Sequence, residues 1–160
     1  MKLLFLDVDG VLNNLDVLSR CRSSDPLGDE HLRLLKTLVA ATDCQIVLSS
    51  TWRLFPESRG SLKVAFEEHG IPVWISTTPD LGTRRGDEIL HWLRINVTVP
   101  VVAVGIDDDE DIDIGDNHGL PVKFKPLKTD FDHGLTPAIV QEAVDWFHCT
   151  HKGEQNGQGD

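Results

Sequence analysis

The stretch Leu3-Leu4-Phe5-Leu6-Asp7-Val8-Asp9-Gly10-Val11-Leu12 decides how this chain is read. The short apolar run from Leu3 to Val8 reads as a buried strand, and two carboxylates, Asp7 and Asp9, stand two residues apart where it ends. Such a pair is stable at the end of a buried strand only if something positive joins it. Asp9-Gly10 is also an ordinary turn signal, so the stretch alone leaves a turn and a charged site both open.

Working outward, apolar runs alternate with helical periodicity. Asp29 to Ala41 carries Leu32, Leu35, Leu38 and Val39 on one helical face. Gln45 to Ser49 reads as a second strand, Ser61 to His69 as a helix closed by Gly70, and Pro72 to Ser76 as a third strand with Pro at its edge. Asp87 to Asn96 is a helix with Ile89, Trp92 and Leu93 inward, and Val99 to Ile106, the most apolar stretch, is a fourth strand. Pro121 to Phe124 reads as a short fifth strand. Thr136 is placed as an N-cap with Pro137 at the first helical position, and Ile139, Val140, Ala143, Val144 and Phe147 line the inner face of a last helix. The pattern predicts an α/β protein: a doubly wound, Rossmann-like parallel sheet of about five strands with helices on both faces. In such a sheet function sits beyond the carboxyl ends of the strands.

Composition narrows the classes. A chain of 160 residues, 40% hydrophobic and 26% charged, can bury one core and is neither disordered nor coiled-coil. Residues 1–151 read as one domain and 152–160, polar and Gly-rich, as a disordered tail. A net charge of −11 opposes nonspecific binding to nucleic acid or anionic membrane. Cys21, Cys44 and Cys149 are odd in number and lack metal-ligand spacing, so a reduced, cytoplasmic setting is expected. Asp7 cuts the first apolar run too early for a secretory core, and no run approaches a membrane span. His148-Cys149-Thr150-His151 offers too few ligands for a metal clip, and His31, His69, His91, His118 and His133 read as surface residues without ligand spacing.

Each remaining strand end also carries polar chemistry. Ser49-Ser50-Thr51-Trp52-Arg53 follows the second strand, with hydroxyls and a guanidinium suited to an oxyanion or, more plainly, to a helix cap and a surface arginine. Thr83-Arg84-Arg85-Gly86 opens a helix with two cations, where the macrodipole favours anions. Either a ligand supplies the balancing anion or the arginines are simply solvated. Asp107-Asp108-Asp109-Glu110-Asp111 follows the fourth strand, a density of hard oxygens that selects Mg2+ or Ca2+ when it is not a solvated loop. It is not an EF-hand, because Ile112 and His118 stand where Gly and Glu are required. Their joint placement decides between these readings, since all four features are expected on one rim of one sheet. A carboxylate, a divalent cation and a phosphate cradle are the parts of phosphoryl transfer through an aspartyl-phosphate.

The order Asp-x-Asp-Gly-Val, strand-Ser, a basic residue and strand-Asp-Asp resembles the haloacid dehalogenase (HAD) superfamily of phosphatases, over roughly residues 3 to 125. The resemblance implies Asp7 as nucleophile, Asp9 as general acid/base, Ser50 as the phosphate-binding hydroxyl with Ser49 as runner-up, and Arg85 where most members have Lys. It implies Mg2+ held by Asp7, the Asp9 carbonyl and Asp108, with Asp107 beside them. Gly10, Thr51, Arg53 and Arg84 complete the expected substrate contacts. Arg53, Arg84, Arg85, Lys123, Lys125 and Lys128 are expected near the active rim, and Trp52 either stacks on a base or packs in the core. Neither Asn13 to Gly28 nor the loop before Arg85 is long enough for a cap domain. The implied phosphatase is therefore small and open, matched to a large substrate such as a phosphoprotein or nucleic-acid end or to a nucleotide-type phosphate, with a small-molecule phosphate also open, unless an oligomer covers the site. Competing readings are a receiver-like or lapsed HAD-like binding module, and a phosphotransferase.

Overall fold

Alternation along the first strand sets the layers of the molecule. A computed structural model describes residues 1–20, 26–117 and 119–149. In chain order the elements are β1 (Lys2–Leu6), α1 (Leu15–Arg20), α2 (Asp29–Thr42), β2 (Gln45–Leu48), a 3-10 turn (Thr51–Leu54) and α3 (Pro56–His69). There follow β3 (Ser76–Thr77), α4 (Arg85–Asn96), β4 (Val101–Asp107), a second 3-10 turn (Glu110–Ile112), β5 (Val122–Lys128) and α5 (Pro137–Cys149). Successive strand side chains face opposite ways. Leu4 and Leu6 of β1 enter one core with Leu35, Leu38, Phe66 and Phe147 from α2, α3 and α5. Leu3 and Phe5 enter the other with Ile89, Trp92 and Leu93 of α4, where the Trp92 ring stands edge-on to Phe5 at 5.5 Å. Both faces of β1 are thus covered, which is why its sequence is continuously apolar.

The sheet has five parallel strands in the order β3-β2-β1-β4-β5. This is the expected doubly wound α/β sheet, with no separate cap domain among the described residues. Central β1 has β2 on one side and β4 on the other, so three polar strand ends emerge side by side.

Several boundaries differ from the sequence reading, each for a local reason. α1 has no buried residue, so it leaves no apolar periodicity to detect. α3 begins at Pro56 rather than Ser61, because proline is favoured in a first helical turn whose other residues here are polar. α4 begins at Arg85, two residues ahead of the predicted Asp87. β3 is confined to Ser76–Thr77 although Ile75 N–H still reaches the Ile46 carbonyl; Pro72 has no N–H to give. β5 runs on to Lys128 through Pro126, which an edge strand tolerates. His31 is buried and its Nδ1 lies 3.0 Å from the Leu135 carbonyl, so it is not a surface residue. Cys44 is buried and Cys149 exposed, both as free thiols. Cys21, His118, His151 and the proposed tail 152–160 lie outside the described residues. Among the described residues no helix is long and apolar enough to cross a membrane.

Candidate active site

The backbone ladder carries the polar strand ends into register. Asp7 N–H donates to the Ile106 carbonyl at 3.0 Å, and Ser49 N–H donates to Leu6 at 3.0 Å. Thr129 N–H reaches the Asp107 carbonyl at 2.9 Å, and Thr78 N–H reaches Leu48 at 3.1 Å. Asp7, Ser49 and Asp107 are therefore each held by main chain. Carboxylate oxygens of Asp7, Asp107 and Asp108 lie within 4.8 Å of one another, Asp7 and Asp107 buried and Asp108 half-buried. Gly10 makes this approach possible: its φ is +70°, and a Cβ there would lie 2.5 Å from Asp108 Cγ. Its carbonyl is fixed by the Thr129 hydroxyl at 2.7 Å.

Burial and neighbouring charge act against ionisation of this cluster. Burial first, and then the Asp107 charge, hold the Asp7 carboxyl well above the usual range, with the Arg85 guanidinium and the Ser50 hydroxyl pulling the other way. Burial likewise pushes Asp107 up to about 6, against the Asp109 N–H and Arg85, which draw it down. Arg85 lies 3.8 Å from Asp7, 3.5 Å from Asp107 and 3.4 Å from Glu88. Asp107 Oδ2 and Arg85 Nε are both buried without a hydrogen-bond partner. A buried carboxylate oxygen that makes no hydrogen bond and has Arg85 Nε only at 3.5 Å, inside a group of three carboxylates, fits a hard divalent cation.

The remaining side chains divide into those at the cluster and those that brace it. Asp9 Oδ1 accepts from Asn13 Nδ2 at 2.8 Å and Asp9 Oδ2 accepts from Trp52 Nε1 at 3.0 Å. Ser50 Oγ accepts the Trp52 N–H at 3.2 Å, whereas Ser49 Oγ is buried with no partner. Arg53 is buried and fully engaged: it donates to the carbonyls of Ser49, Ser50, Thr78 and Pro79 and pairs with Glu88 at 2.7 Å. Thr51 and Arg84 are exposed, and Arg84 donates to the Asp113 carbonyl at 3.1 Å.

A sequence model of the family described as the HAD domain in Swiss Army Knife RNA repair proteins matches residues 3–140. The chain belongs to this HAD family. Comparison with the curated proteins and with the solved structures gives no match. The match spans all five strands and enters the first turn of α5.

Within this HAD fold, the surroundings of four sequence-predicted features become definite. Arg53 braces the loops after β2 and β3, because its buried guanidinium already donates to four carbonyls and to Glu88. At the start of α4 the protein itself supplies anions to Arg85: Asp111 caps its N–H at 3.1 Å, and Asp7, Asp107 and Glu88 surround its guanidinium. Lys123 and Lys125 sit within β5, with Lys125 paired to Glu142 at 2.7 Å, and only Lys128 reaches the strand end, where it pairs with Glu110 at 3.0 Å. Trp52 is buried, which removes the base-stacking option. Glu88 and Asn13 went unnoticed in the sequence. Glu88 had a signal, since it lies four residues before Trp92 on the inward face of α4 and is an acid where an apolar residue is expected. Asn13 had none.

Proposed function

We propose that the chain hydrolyses phosphomonoesters through an aspartyl-phosphate on Asp7. The observation that carries this reading is the meeting of Asp7, Asp107 and Asp108 at adjacent strand ends beside a half-buried Asp9 and Arg85. Asp7, Asp107 and Asp108, with the Asp9 carbonyl, would hold Mg2+, and the bound ion would offset repulsion between an anionic nucleophile and an anionic ester. Asp7 forms the new O–P bond as the ester O–P bond breaks, and Asp9 gives its proton to the departing oxygen. In the second half Asp9 takes a proton from water, whose oxygen bonds to phosphorus as the Asp7 O–P bond breaks. Ser50 and Arg85 orient the equatorial oxygens, and Gly10, Thr51 and Arg84 lie along the approach.

HAD proteins are generally phosphohydrolases, and this family is named for RNA repair. A phosphorylated polynucleotide end is therefore the substrate class we assign, in keeping with a fold that carries no separate cap. Turnover of an aryl phosphate and of 5′- and 3′-phosphorylated oligonucleotides in saturating Mg2+ tests the reading. Wild-type turnover that falls to background in Asp7→Asn is expected. Retained turnover in that variant sinks the scheme.

A further inference from the structure

We infer that Trp52 and Asn13 are positioning residues for Asp9, holding its carboxylate between an indole N–H and a carboxamide N–H. The inference rests on the proposed role of Asp9. Each Asp9 oxygen accepts one N–H, from Asn13 at 2.8 Å and from Trp52 at 3.0 Å. A carboxylate oxygen has two lone-pair directions, so each keeps one for substrate or water.

Both donors are themselves immobilised. Asn13 has no exposed surface, and its Oδ1 accepts the Gly10 N–H at 2.9 Å. Trp52 is 7% exposed; its backbone N–H is bound by Ser50 Oγ at 3.2 Å, and its carbonyl accepts from Phe55 at 3.2 Å. Trp52 therefore ties the hydroxyl assigned to phosphate to the carboxylate assigned to proton transfer. A group that acts first as acid and then as base must keep its place through both half-reactions, and rigid donors on both oxygens do that. A tryptophan needed only for packing would be indifferent to the loss of its N–H.

Trp52→Phe keeps an aromatic ring at this position and removes the donor. With glycerol 2-phosphate, whose alkoxide leaves only with a proton, kcat is expected to fall about 10- to 100-fold with KM nearly unchanged. With 2,4-dinitrophenyl phosphate, whose leaving group needs no proton, the first-turnover burst should keep its rate while later turnovers slow. Equal losses in the burst and with the alkyl ester, or no loss with either, overturn the inference. Asn13→Ala should give the same pattern and serves if Trp52→Phe fails to fold. A third readout is independent of turnover: the indole N–H resonance of Trp52 should move upfield in Asp9→Ala, and an unmoved resonance overturns the inference. A wild-type chain inactive on both esters and on 5′- and 3′-phosphorylated oligonucleotides would instead refute the proposed phosphatase activity, with the indole shift still reporting the contact.

Discussion

Arg85 illustrates how one side chain serves several carboxylates. Its guanidinium lies 3.8 Å from Asp7, 3.5 Å from Asp107 and 3.4 Å from Glu88, a spread that a fork can cover and a point charge cannot. An ammonium can replace the charge near Asp7 but not all three contacts. We expect Arg85→Lys to lower kcat/KM about 10-fold and Arg85→Ala about 100- to 1,000-fold, the range for losing a donor to developing charge. Steady-state kinetics in Mg2+ measures both, and equal losses would place Arg85 outside phosphate binding. At this scale the meeting of Asp7, Asp108 and Arg85 on one rim was legible because these residues sit at strand and helix ends that periodicity locates. The Trp52–Asp9 contact was not, since its partners are 43 residues apart and neither carries a mark of the other. Glu88 and Arg53, 35 residues apart, were hidden in the same way.

Among elements, the buried Arg53–Glu88 pair joins the ends of β2 and β3 to α4. Four carbonyls and one carboxylate accept from a single guanidinium, so its removal leaves Glu88 buried without its closest cation. Arg53→Met should destabilise the fold by about 3–5 kcal/mol in urea denaturation, the range for breaking a buried pair from one side. Adding Glu88→Gln should recover part of that loss, since the two side chains are coupled. A loss below about 1 kcal/mol would make the pair incidental. The long elements α2, β1 and β4 were readable because their faces are uniformly buried or cleanly alternating. α1 has no buried residue, β3 contributes only two residues, and β5 contains a proline, so apolar pattern had little to report there.

For the whole molecule, a net charge of −11 coexists with buried carboxyls whose ionisation the fold resists. Asp107 is raised from 3.8 to about 6, so between those values the folded chain binds more protons than the unfolded one. Stability from this group is complete below about pH 4 and is lost as pH rises through 6, and Asp7 shifts in the same direction. Without divalent cations the melting temperature should therefore fall from pH 4 to pH 7. Mg2+ should raise it more at pH 7 than at pH 5, where protons compete for Asp107. Thermal denaturation at the two pH values checks this, and an equal Mg2+ effect at both would separate the ion from these carboxyls. The parallel pairing of Leu6 with Ile106 has an evolutionary corollary. Because facing alternates residue by residue, one inserted codon within β4 would turn its acidic end over relative to β1. A change of length within β1 or β4 would therefore break the acidic cluster, whereas the connecting loops can absorb one.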